Sequence, residues 1–362
     1  LYTCLKIDEV NNLGAARIRL RSLISVVDER QRHKYKPVKG HVGYIKQPEF
    51  SKQMRKEHTI LCPQMAPIHF DFLEASFNHC GYNVEILKDC SKAVVDVGLK
   101  YVNNDACYPS ILIVGQLIHA LQSGKYDLDN TSVMITQTGG ACRATNYVGM
   151  LKKALKDAGF DNVPLISLNV VGLEKQSGFK ITPAMMIRAF LGMIYGDVLQ
   201  RCLYKVRPYE KVKGSANALY EKWRLIIRDE LKSLSIKRFN KNIRAIVKDF
   251  SEFPVLDIKK PRVGLVGEIL VKFHPIANND IIGLLENEGC EVVVPDLMGF
   301  FYYICSQGDT KHKLLSSSRM SRDVKNLVIK MFMYFEKSYR AAVKGTKFGV
   351  PGEIFEMQRK VS

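Results

Sequence analysis

Two cysteines are placed for chemistry. Cys107 stands in Asn103–Pro109 (NNDACYP), where a polar loop feeds a helix N-terminus; Cys142 stands in Thr136–Arg143 (TQTGGACR), directly after a run that reads as a strand. A thiol beside a helix N-terminus or free backbone N–H groups is favoured as the thiolate, the form that attacks electrophiles and binds metals. The same N–H groups can hydrogen-bond cluster sulfides and tune a potential. Gly139 and Gly140 permit the close backbone approach that a cluster needs. Iron–sulfur ligation is therefore one reading of this pair, and an ordinary loop cysteine is the alternative for each. No CxxC occurs to certify a metal site.

Other groups are weaker candidates. Cys62 ends the first strand ahead of Pro63 and is expected at the same edge. Cys305 lies in an aromatic run with Phe300, Phe301, Tyr302 and Tyr303, where core packing leads and ligation is second. Glu268 and His274 follow a strand, where they would contact substrate or cluster, or serve only loop hydrogen bonds. His69 follows Pro67 at a helix start and is expected to cap it or face solvent; Cys4, Cys80, Cys90, Cys202 and Cys290 are expected to be packing residues. No Walker loop, GxGxxG, HExxH or nucleophile elbow is present, so no ATP site is expected in this chain.

The elements that must position these groups are legible in outline. The chain has 362 residues, 46% hydrophobic and 25% charged, which suits two or so domains with real cores and excludes disorder as the main state. No apolar run is long enough for a membrane helix. No charged-then-apolar leader follows Leu1, and the expectation is a mature or internal segment. Nine scattered cysteines, an odd number, point to a reducing, cytoplasmic setting. The net charge of +18 is uneven: +7 in 1–58, −1 in 59–200, +10 in 201–262, −6 in 263–310 and +8 in 311–362. The strand-rich windows are thus neutral or acidic, and no motif supports nucleic acid as a partner. Lys237, Arg238, Lys241, Arg244 and Lys248 make a cationic helix face, either simply solvated or a docking surface for an acidic partner.

Along the chain, residues 1–32 read as the strand (Tyr2–Ile7) and helix ending a preceding α/β domain, and 33–57 as a basic linker. Residues 58–200 alternate strand, loop and helix: strands at Thr59–Cys62, Asn83–Leu87, Ser132–Thr136 and Pro164–Leu168, helices at Ile68–His79, Pro109–Leu121 and Asn146–Ala158, and a loop at Lys100–Cys107. Such alternation makes a parallel sheet, which binds ligands beyond the carboxyl ends of its strands. A buried helix is expected at Pro183–Tyr204. A helical connector fills 201–261, with one or two helices in Ala216–Phe250. A second α/β unit, whole or incomplete, spans 262–345, with strands at Val263–Val266 and Glu291–Val294, a helix at Asn278–Glu288 and a helical tail at Ser321–Lys344; 346–362 is unassigned.

Several segments together resemble one family: Lys6–Leu23 (KIDEVNNLGAARIRLRSL), Pro63–Ala75 (PQMAPIHFDFLEA), Gly98–Ser110 (GLKYVNNDACYPS), Thr136–Tyr147 (TQTGGACRATNY), Arg207–Trp223 and Lys260–Ile281. They are similar to the 2-hydroxyacyl-CoA dehydratase superfamily, in particular its fused branch of acyl-CoA dehydratase activase-related proteins. The resemblance implies an α/β fold of Rossmann-like parallel-sheet subdomains with an inserted helical region. It also implies a 4Fe–4S cluster held by cysteines from loops at strand ends, with Cys107 and Cys142 in the matching loops. The implied partner is an ATP-hydrolysing activator with its own cluster, which injects one low-potential electron. In true dehydratases that electron forms a ketyl radical on a 2-hydroxyacyl-CoA and permits loss of water. Against the family's usual extent, the chain is expected to be a central fragment without the activator or the further Cys-containing subdomain.

Overall fold

The computed structural model describes residues 13–32, 47–103, 106–137, 142–169, 178–315 and 318–352. The chain separates into two units, 1–46 and 47–362. In the first, helix α1 spans Leu13–Arg32; the strand expected at Tyr2–Ile7 lies outside the described residues. The stretch read as a linker does not run to 57, because Gln47 onward belongs to the second unit. There Phe50 is fully buried and a short α2 (Met54–Glu57) leads into the sheet.

The second unit opens with β1 (Thr59–Cys62), α3 (Pro67–Asn78), β2 (Asn83–Ile86), α4 (Lys92–Tyr101), α5 (Tyr108–Gln122), β3 (Thr131–Gln137), α6 (Tyr147–Asp157) and β4 (Leu165–Asn169). The four strands form one parallel sheet in the order β2-β1-β3-β4. Period-2 alternation sorts their side chains. Leu61, Val133, Ile135 and Leu165 pack under α5 and α6, while Ile60, Val84, Ile86, Met134 and Ile166 pack on the other face with Phe50 and Phe179. The strand order reverses between β1 and β3, so the crevice beyond their carboxyl ends is the natural ligand position of such a sheet.

Then follow α7 (Pro183–Val206), α8 (Ser215–Glu230), α9 (Ile236–Ser251), β5 (Arg262–Gly264), α10 (Ile269–Phe273), α11 (Ile281–Asn287), β6 (Glu291–Val293), α12 (Met298–Leu315) and α13 (Arg319–Val343). Strands β5 and β6 pair in parallel. Helices α7, α8, α9 and α13 share a core that includes Trp223, Ile227, Phe239, Ile243, Phe250 and Tyr339. The inserted helices are tied to α3 by ions: Arg228 and Arg224 donate to Asp71 at 2.6 and 3.0 Å, and Arg228 reaches Glu74 at 3.0 Å. Lys237, Arg238, Lys241, Arg244 and Lys248 all lie on the exposed side of α9. The fold is thus α/β with Rossmann-like parallel pairing and a helical insertion. Among the described residues, no helix is long and apolar enough to cross a membrane.

Two local differences have physical causes. The loop expected from Lys100 starts later, because α4 continues through Tyr101 and its C-cap, Val102, bonds back to Gly98. The helix expected at Asn278 begins only at Ile281, because Asn279 and Asp280 take left-handed backbone (φ 55° and 51°).

Helices α4 and α5 touch backbone to backbone. A Cβ on Gly98 would meet the Ile111 carbonyl oxygen at 2.1 Å, and one on Gly115 would meet that of Val94 at 2.2 Å. Gly98→Ala is therefore expected to destabilise by about 1–3 kcal/mol through overpacking. Gly149→Ala, on α6 with open space around it, should gain up to about 1 kcal/mol. Denaturant midpoints of the two variants check this, and equal shifts would refute the packing account.

Candidate functional site

The site is built where β1 and β3 end and where α5 and α6 begin. Pro109 in the first turn of α5 starts that helix, and Cys107 is its N-cap in extended backbone; the Cys107 carbonyl accepts from Ser110 N–H at 3.0 Å and Ser110 Oγ at 2.6 Å. Cys142 caps the single 3-10 turn Arg143–Asn146, its sulfur accepting from the Ala144 N–H at 3.5 Å. That turn is fastened to β3 by Gln137 Nε2, which donates to the Thr145 carbonyl at 2.9 Å.

Tyr147 reaches Cys107 across the start of α6. It opens α6, is buried, and places its hydroxyl 3.2 Å from Cys107 Sγ. Burial raises the Tyr147 hydroxyl far above its ordinary value; its bond to Cys107 and the charges of Cys107, Cys142 and Glu268 push in the same direction. The hydroxyl therefore keeps its proton and is available as a donor to a Cys107 thiolate. Cys142 is exposed and Cys107 half-buried, so the thiols face an accessible edge.

Glu268 follows β5 and caps α10, Oε2 accepting from the Val271 N–H at 2.9 Å. Lys272, one turn on, is held below the ordinary ammonium range by burial, against the charges of Asp197, Asp296 and Glu268. His274 does not face a ligand at this edge. It is fully buried, and its Nε2 lies 2.7 Å from Gln116 Nε2 on α5. Gln116 Oε1 already accepts the Gln64 N–H at 2.8 Å, so the amide nitrogen is the donor and His274 carries its proton on Nδ1. Burial pushes His274 down to about 4, keeping it neutral. It is a strut between the loop after β5 and the helix that carries Cys107.

The remaining candidates fall elsewhere. Cys62 ends β1 as expected but is buried in the cluster with Phe50, Ile60 and Ile86, and burial pushes its thiol up to about 12, so it stands there as a protonated core thiol. Cys305 packs against the helical core, where burial raises its thiol. Cys202 is a fully buried packing residue as expected, whereas Cys90 Sγ reaches Gln64 Oε1 at 3.8 Å. Gly139 and Gly140 lie outside the described residues. His69 is neither cap nor surface residue: it is fully buried, with Nε2 2.8 Å from Asp197 Oδ1. Sequence reasoning missed Tyr147, although it closes the very motif that holds Cys142, and it missed Asp197 entirely.

No family model, curated protein or solved structure matches this chain. The resemblance therefore rests on the loop motifs themselves. Among the described residues, no group of three or more His, Cys, Asp or Glu side chains is arranged to hold a metal ion.

Proposed function

We propose that this chain is the iron–sulfur component of an ATP-driven, low-potential electron-transfer system resembling the 2-hydroxyacyl-CoA dehydratases. An acyl-CoA-type substrate, a cytoplasmic setting and a separate ATP-hydrolysing activator belong to the same reading. The observation that carries it is the placement of Cys107 at the start of α5, 3.2 Å from the Tyr147 hydroxyl, and of exposed Cys142 just past β3, both at the carboxyl edge of a parallel sheet. The chemistry that a 4Fe–4S group supplies when bound is one-electron transfer. The donor types fit such a group as a partial ligand set: two thiols from separate loops, the rest to come from beyond the described residues or from the partner. Cys107 and Cys142 would ligate, and the Tyr147 hydroxyl would hold the Cys107 sulfur in place by donating to it. The strut from His274 through Gln116 to Gln64 fixes α5 against the loop that carries Glu268.

A cluster-free α/β scaffold or interaction module is the second reading, favoured by the lack of a three-donor group among the described residues. Anaerobic reconstitution with iron and sulfide separates the two. The expected result is about four irons per chain, with a broad visible absorbance lost in Cys107→Ser and in Cys142→Ser and kept in Cys202→Ser. Negligible iron, or equal loss in all three variants, overturns the cluster reading.

A further inference from the structure

Two concavities among the described residues differ in how their charges are paired. The first, about 430 Å³, lies at the end of β2, and its charges are largely balanced: Lys125 binds Glu85 at 2.8 Å, His119 lies 3.2 Å from Asp89, and Glu74 binds Arg228 at 3.0 Å. The second, about 390 Å³, is bounded by the end of α7, the segment before β5, and the loop after α13. Its walls carry Lys205, Lys259, Lys260, Arg262 and Lys347 against the lone carboxylate Glu291.

Glu291 is 2% exposed, and its two oxygens are fully engaged: Lys205 at 2.7 Å, the Tyr209 hydroxyl at 2.8 Å and Arg262 at 3.0 Å. It neutralises one positive charge and leaves four in excess. Lys259, Lys260 and Lys347 pair with no carboxylate among the described residues; Asp257, two residues before Lys259, is outside the lining. Lys347 Nζ reaches the Ser251 carbonyl at 3.3 Å and lies over the Phe348 ring, 5.7 Å from its centroid. Burial holds Lys347 below the ordinary ammonium range against the opposing charge of Cys202, with Lys205 adding a smaller push downward. Like charges gathered in a concavity repel, and an anion seated among them relieves that repulsion. The groove also has an apolar side. Leu256 and Ile258 are 44% and 50% exposed, and the Tyr209 ring lies under Lys205 and Lys260, each 5.9 Å from its centroid.

We propose that this groove binds a phosphoanhydride ligand of the nucleoside diphosphate class, its phosphates among Lys259, Lys260 and Lys347 and its planar group against Leu256 and Ile258. Two linked phosphates match the surplus charge better than one, and the volume is in the range of small-molecule sites. The proposal does not depend on the cluster reading of the cysteine edge.

Calorimetric titration of the full chain with inorganic pyrophosphate, ADP and AMP tests it, at constant ionic strength of about 0.15 M so that bulk screening is fixed. Saturable binding of pyrophosphate and ADP is expected, with ADP favoured over AMP by about tenfold or more. Combining Lys259→Gln, Lys260→Gln and Lys347→Gln should weaken ADP by about tenfold or more. Combining Lys237→Gln, Lys241→Gln and Arg244→Gln on the exposed face of α9 removes the same charge and should leave affinity unchanged. Both triple variants change exposed or half-exposed side chains, and circular dichroism checks that each is folded. Lack of saturable binding, equal affinity for AMP and ADP, or equal loss in the two triple variants overturns the site.

Discussion

Asp197→Ala is expected to cost about 3–5 kcal/mol of stability, the penalty for stripping one partner from a buried, hydrogen-bonded charge. Asp197 on α7 is fully buried. Its Oδ1 accepts from His69 Nε2 at 2.8 Å and from the Leu297 N–H at 2.6 Å, and its Oδ2 accepts from the Met298 N–H at 3.1 Å. One carboxylate thus pins α3, α7 and the start of α12, where its charge also complements the helix dipole. Gly196 makes the room: a Cβ there would come within 2.4 Å of the His69 ring. Alanine would leave an imidazole N–H and two backbone N–H groups buried without acceptors. Asp197→Asn should fall between, because its single amide oxygen cannot serve all three donors and its NH2 would face one of them. The lone Trp223, 6% exposed in the helical core, reports the transition by fluorescence in denaturant. A loss below about 1 kcal/mol for Asp197→Ala would show that the carboxylate is not what holds these elements together.

Stability should fall as pH rises from about 5 to about 8, and Glu336→Gln should remove about 2–3 kcal/mol of that fall. Glu336 on α13 is 3% exposed; burial lifts its carboxyl from 4.5 to about 7, with Arg340 opposing and the charges of Asp197 and Asp296 assisting. Asp296 is likewise lifted by burial and by Asp197, to about 6 from 3.8, with Arg201 opposing. Between the unfolded and folded values the native state binds more protons than the unfolded chain. The ionisation penalty is therefore absent below the unfolded values and complete above the folded ones. His274 acts with the opposite sign. Lowered from 6.5 to about 4, it makes stability rise with pH across that interval. The two carboxyls outweigh the single imidazole, so the net slope is negative. Replacing Glu336 leaves Asp296 and His274 to cancel approximately, and the profile should flatten. Trp223 unfolding curves at the two pH values decide it; identical profiles for variant and parent would remove Glu336 as the cause.

The alternation that gives β1, α3, β2, α5, β3, α6 and β4 was readable from the sequence, because each element depends on neighbours a few residues away. The strands show period-2 or continuous apolar runs, Pro109 sits in a helix's first turn, and glycine or polar runs fall between elements. The same locality placed Cys107 at a helix start and Cys142 just past a strand. Helix α4 was not legible, because Val94, Val95 and Val97 read poorly as helix formers and its stability comes from the close approach that Gly98 and Gly115 allow to α5. The motif around Gly98 thus has a packing explanation as well as a chemical one.

Only tertiary structure brought the Tyr147 hydroxyl to Cys107, 40 residues away, His274 to Gln116, 158 residues away, and His69 to Asp197, 128 residues away. It also buried Cys62, which sequence position alone put at the ligand edge, and collected the cations of the second groove from α7, the segment before β5 and the loop after α13. Local sequence determined which elements form and which residues stand at their ends. Which ends meet depended on sheet order and helix packing, where burial and long-range hydrogen bonds outweigh local preference.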